Sequence, residues 1–186
     1  MLQLTHWQHL AICTALTERS FPNYLLYCEI EGLDPQPLRK MLNKVWEFLR
    51  GQLKSTKNIE KQLEALTDLI PDPETKDHYG AYPAMDTALA LQSCLQAIVD
   101  SSIEDAEAIL MMMAERLEEV IALQSDDDDA EPDLDNSPLW QRHQAFIDQL
   151  MSLISSQASH ADTVKTLIPL AQDEGVSHLG ICVHDE

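Results

Sequence analysis

The chain has 186 residues, 45% of them apolar, and a formal net charge of −20. That is enough apolar material for one buried core. So acidic a chain repels phosphate backbones and anionic lipid, which argues against nucleic acid or membrane as a partner.

Only 5 residues are glycine, while Ala, Leu, Glu, Gln and Met are plentiful, a profile that favours helix. Thr5 followed by Gln8 has capping-box spacing and opens a first helix to about Arg19. Phe21-Pro22 interrupts it, and Pro22 suits the first position of a second helix that runs to Glu31 before Gly32. Asp34-Pro35 repeats the start signal for a third helix to about Lys54. At helical spacing, Leu38, Met41, Leu42, Val45, Trp46, Phe48, Leu49 and Leu53 share one side of it. Arg39, Lys40, Lys44, Arg50 and Lys54 form a basic outer face. A fourth helix spans about Ile59 to Ile70 and ends at Pro71-Asp72-Pro73.

A fifth helix runs from Pro83 to Val99 with Asp86 as its only charge. It is apolar around most of its circumference, so it is expected at the centre of the fold, its alanines letting neighbours approach closely. A carboxylate in such a place must be paired, capped or beside a cleft. Asp86 lies in the first turn, where it is read as capping its own helix or holding an arginine; a pocket mouth beside Tyr79 and Tyr82 is the functional alternative. A sixth helix, Ser102 to about Leu123, is expected to be capped by Ser102 with Asp105. The acidic stretch at 124–137 reads as a solvated, flexible loop. Ser137-Pro138 restarts a helix to about Gln157, and a last one spans Asp162 to Asp173, kinked or shortened by Pro169 and ended by Gly175. The tail, residues 175–186, is expected to pack as an extended segment. The fold class is therefore all-α, a single-domain bundle of seven or eight helices over residues 1–186.

Charge is divided along the chain. Residues 1–57 carry seven basic and five acidic side chains, and residues 58–186 carry five basic and twenty-seven acidic ones. No segment has the length and apolarity of a bilayer span, and MLQLTHWQHL lacks the basic start and apolar run of a signal peptide. Cys13, Cys28, Cys94 and Cys182 form no CxxC pair and read as thiols in a reducing cytoplasm, mostly as small buried hydrophobes.

Catalytic motifs are hard to find. His6, His9 and Cys13 share a helical face but lack a partner pair, so they are read as packing residues beside Trp7 rather than metal ligands. Counted from Asp127, the acidic run holds Pro132 and Pro138 where a calcium loop needs Gly and Glu. Neither paired Glu-x-x-His motifs, a Gly-rich phosphate loop nor GxSxG occurs. No cofactor or metal is expected. Two polar groups remain: Glu18, Arg19, Asn23 and Tyr24 at one helix corner, and Tyr79, Tyr82 and Asp86 at the start of the fifth helix. They either satisfy backbone groups locally or converge on a small-ligand pocket.

HWQH at His6–His9, ERSFPNY at Glu18–Tyr24, YGAYPAMD at Tyr79–Asp86 and the terminal SHLGI at Ser177–Ile181 together resemble the YjaG-like family, bacterial proteins grouped under a domain of unknown function. The similarity runs over most of the chain; the acidic run and Pro169 stand apart from the family's usual pattern. It implies a compact all-helical cytoplasmic domain and no particular activity. The functional expectation is a non-enzymatic interaction or regulatory module, with a protein partner or a second copy of the chain as its target. The alternatives are a small-ligand binder or enzyme using the polar corner and, more weakly, an acidic mimic of nucleic acid.

Overall fold

The structure is a computed structural model, and it describes residues 4–53, 55–124, 133–156 and 158–182. Among these residues the chain forms seven α-helices: α1 (His6–Glu31), α2 (Gln36–Leu49), α3 (Ile59–Thr67), α4 (Ala81–Val99), α5 (Ala106–Leu123), α6 (Pro138–Ile154) and α7 (His160–Gln172). Short 3-10 turns lie at Pro73–Thr75 and Asp173–Gly175. The only bridge outside helices among the described residues joins Val176 to Cys182. The fold class is all-α, as the sequence implies, and the tail makes a tight turn rather than a strand.

The apolar rod read from the sequence is α4, and it lies inside. Ala84, Ala88, Ala90, Leu91, Cys94 and Leu95 are fully buried. It packs most extensively on α1, with α2, α3 and α5 around it. The small side chains let the two backbones come close enough for the Thr87 hydroxyl to donate to the Ser20 carbonyl at 3.1 Å.

The expected break at Phe21-Pro22 is corrected: α1 is one continuous helix with Pro22 inside it. Proline has no N–H to give the carbonyl four residues back, and costs roughly 3 kcal/mol in a helix interior. Every residue from Leu10 to Tyr24 is buried, against α4, α7, α2, α5 and α6. Burying one Leu or Phe contributes about 1.5–3 kcal/mol, so Leu16 and Phe21 together outweigh the proline. Thr5 and Gln8 form the expected capping box, and Gly32 ends the helix at φ 65°, where Leu33 N–H reaches the Cys28 carbonyl at 2.8 Å.

Smaller corrections have local causes. The Ser102 cap is not formed; Ser102 donates to Asp100 at 2.7 Å in a turn, and α5 starts only at Ala106. The third expected helix stops at Leu49, and Lys54, its expected last residue, lies outside the described residues. So do residues 125–132 of the acidic run and 183–186 of the tail. Pro169 sits inside α7, three residues before its end. Cys13, Cys28 and Cys94 are buried thiols, whereas Cys182 is exposed.

Candidate functional site

A cleft of ≈ 490 Å³ lies between α1, α2 and α7, lined by Glu18, Pro22, Leu25, Arg39, Pro169 and Glu174 among others. Its floor is the Glu18 carboxylate, 3% exposed. Arg39 donates to both of its oxygens at 2.9 Å, Trp46 Nε1 donates at 2.9 Å and Gln172 Nε2 at 3.3 Å. Four donated bonds onto one buried carboxylate offset much of its desolvation. The Arg39 guanidinium also lies over the Phe21 ring at 3.6 Å, which holds it flat against the apolar wall. Both helix-interior prolines, Pro22 and Pro169, border this cleft.

One residue on, Arg19 points to a different face of α1. It is buried, with its guanidinium over the Phe146 ring at 4.9 Å, and it pairs with Asp173. Arg142 pairs with the same Asp173 oxygen. Asp173 and Glu174 both have positive φ, 42° and 55°, an uncommon conformation for residues with a Cβ. The two arginines thus tether a strained turn at the lip of the cleft. Burial lowers the Arg19 pKa, and Arg142 adds to this, while Asp173 opposes both.

Behind Arg19 lies a second layer. Asn23, one turn further along α1, is 2% exposed, His143 of α6 is 3% exposed and His178 is 4% exposed. The two imidazoles are 6.1 Å apart, centre to centre. His178 is held by the terminal turn: Ser177 Oγ accepts from the N–H groups of Leu179 and Ile181, each at 3.2 Å. Gly180, at φ 77°, closes the turn where a Cβ would meet Leu139 at 3.0 Å. Burial, with Arg19 nearby, pulls His143 down to about 4. Burial, His143, Arg19 and Arg116 pull His178 down to about 3, so both rings are neutral near pH 7.

The third group centres on Arg116 of α5. Its Nε donates to Asp86 at 2.7 Å, its Nη1 reaches the Tyr79 hydroxyl at 3.4 Å, and it also pairs with Glu119. The guanidinium lies 5.8 Å from the Tyr79 ring centre and 5.2 Å from that of Tyr82. Burial raises the Asp86 pKa, and the Arg116 hydrogen bond and charge draw it partly back.

Compared with known proteins, residues 1–182 match the family model described as protein of unknown function (DUF416). The chain belongs to the DUF416 family. It is 31% identical over 186 residues to an uncharacterised protein of Haemophilus influenzae, covering 97% of this chain and 94% of that one. Its similarity to the uncharacterised YjaG of Escherichia coli K12 is 37% over 97 residues, about half of each chain (51% and 48%). A crystal structure of a DUF416 family protein from Shewanella baltica superposes with a TM-score of 0.85 at 31% identity, covering 97% of this chain and 95% of that one. The all-helical architecture is thus shared with a DUF416 member of known structure.

The residues singled out from the sequence are distributed over this DUF416 fold. Tyr79, Tyr82 and Asp86 meet around Arg116. Glu18 floors the cleft, and Arg19 and Asn23, one turn apart, share another face of α1, with Arg19 over the Phe146 ring of α6. Tyr24 instead donates to the Leu69 carbonyl at 3.0 Å beyond α3. Sequence reading missed Arg39, Trp46, Gln172, Arg116, His143 and His178. One signal was available: only five basic residues lie in 58–186, and two of them, Arg116 and Arg142, hold these groups together. His6 and His9 are half-buried, and Trp7 stacks on His160 at 3.9 Å rather than on either of them.

Proposed function

We propose that this DUF416 protein is a non-catalytic binding module whose cleft between α1, α2 and α7 receives a peptide segment of a partner protein. One observation carries the reading: Glu18, the acid on the cleft floor, is occupied by Arg39, Trp46 and Gln172, so it has little capacity left for proton transfer. Arg39 spends only Nη1 on Glu18 and, at 25% side-chain exposure, presents the rest of its fork to the cleft. Glu174 stands on the rim, and Phe21, Pro22, Leu25 and Pro169 supply apolar walls. Such a lining suits a segment with charges of both signs around an apolar side chain. Exposed Lys40 and Arg50 continue the basic face of α2 and would steer an acidic partner towards it.

The test is site-specific photo-crosslinking in cells of the source organism, from position Leu25 in the cleft and from Thr166 in the shallow groove between α6 and α7. A protein adduct is expected from Leu25 alone, and Glu174→Lys, an exposed change that spares the Glu18 network, should abolish it. Equal adducts from both positions, or none from Leu25, refute the reading. A second copy of the chain as the captured partner would be seen as a crosslinked dimer.

A further inference from the structure

The inner layer has a chemical peculiarity the cleft does not explain. Arg19 Nε, both polar atoms of the Asn23 amide, His143 Nδ1 and both ring nitrogens of His178 are buried without a hydrogen-bond partner among the described residues. Buried polar side chains are nearly always paired, because leaving one unpaired costs about 1–3 kcal/mol. Of the ten such atoms among the described residues, six lie on these four side chains. Arg19 and Asn23 lie one turn apart and so share a face of α1, His143 is one turn from the Phe146 under Arg19, and His178 lies 6.1 Å from His143, ring centre to ring centre.

We propose that Arg19, Asn23, His143 and His178 form a binding site for a small oxyanion that keeps a proton, of the hydrogen phosphate or bicarbonate class. The donor set fits the charge. Arg19 N–H, the Asn23 amide N–H groups and one N–H of each neutral imidazole point to oxygen acceptors. The acceptor set fits the proton. Asn23 Oδ1 needs an O–H, which a fully deprotonated sulfate cannot give. An anion suits the local field, because Arg19 shares its one carboxylate, Asp173, with Arg142. Arg116, the next cation, has its own acids in Asp86 and Glu119. A metal ion suits it less: a cation would sit beside a buried guanidinium, and no three His, Cys, Asp or Glu among the described residues are grouped to hold one. Entry would proceed by lifting the Ser177–Ile181 turn, so exchange should be slow.

The test is a titration of the full chain with inorganic phosphate, and separately with bicarbonate, at constant ionic strength, read from the imidazole nitrogen resonances and the thermal midpoint. Saturable shifts of the His143 and His178 signals and a raised midpoint are expected with one or both, and which of them acts identifies the ligand. Sulfate should give a much smaller response. Asn23→Leu should weaken the apparent affinity about tenfold or more, the loss of one or two hydrogen bonds. The wild-type titration decides the matter even if that variant folds poorly. Unmoved imidazole signals, an equal response to sulfate and chloride, or a phosphate response intact in a folded Asn23→Leu protein each overturn the proposal. If the site holds ordered water alone, the first of these results will be seen.

Discussion

Glu18 shows how a single side chain can decide an arrangement of helices. Its carboxylate ties α1 to α2 through Arg39 and Trp46 and to α7 through Gln172. Glu18→Ala leaves the Trp46 donor buried without an acceptor and removes the partner of Arg39, and should cost roughly 3–5 kcal/mol in urea unfolding. Glu18→Gln keeps the shape and should cost less; equal losses would mean that the charge alone, and not the shape, is what matters. The histidines give a pH signature with a definite sign. Their folded pKa values, about 4 for His143 and about 3 for His178, lie below the ordinary value of 6.5. The unfolded chain therefore binds protons first, and stability is lost as pH falls from 6.5 towards those values, by up to about 1.4 kcal/mol per pH unit for each ring. Relief of repulsion among the acids acts in the opposite direction, so the comparison is with His178→Phe. That variant should lose a large part of the acid sensitivity between pH 6.5 and 4, and an unchanged profile would contradict the burial of His178.

Among the helices, α4 was the most legible in the sequence and α1 the least. Seventeen residues with one charge, opened by proline, have few destinations other than an interior, and Leu91→Ala there should cost about 2–5 kcal/mol in denaturant unfolding. The interior role of α1 is hidden by its Thr, Glu, Arg, Ser and Asn side chains, which look solvent-facing until their partners, up to 154 residues away, are known. Its continuity is hidden because the penalty for an internal proline is local and visible, whereas the burial that outweighs it is distant and not. Arg39 was assigned to the outer basic face of its helix, as periodicity alone requires, yet its long side chain curls back over Phe21 to Glu18. The Asp86 pairing was half legible: a carboxylate in an apolar helix demands a cation, but periodicity cannot say which. A cycle of Asp86→Asn and Arg116→Met should show a coupling of about 1–3 kcal/mol between α4 and α5, and simple additivity would show the pair to be incidental.

For the molecule as a whole, the dominant long-range force is self-repulsion of the acidic residues beyond position 57. Screening becomes effective over about 10 Å at 0.1 M salt. The thermal midpoint should therefore rise with added sodium chloride, and a flat or falling profile would show that the surface pairs outweigh the repulsion. The Ser177–Ile181 turn has a consequence for how the chain comes to be folded. His178 and Gln172 complete surroundings that Glu18 and Arg19 occupy from the opposite end of the sequence. During synthesis α1 thus leaves the ribosome long before the segment that shuts the interior around it. Until the 170s emerge, Glu18 lacks its Gln172 partner and Arg19 its Asp173 carboxylate, and the nascent chain should remain open to proteases and chaperones. The finished interior is then assembled in one late step rather than grown from the first helix outward.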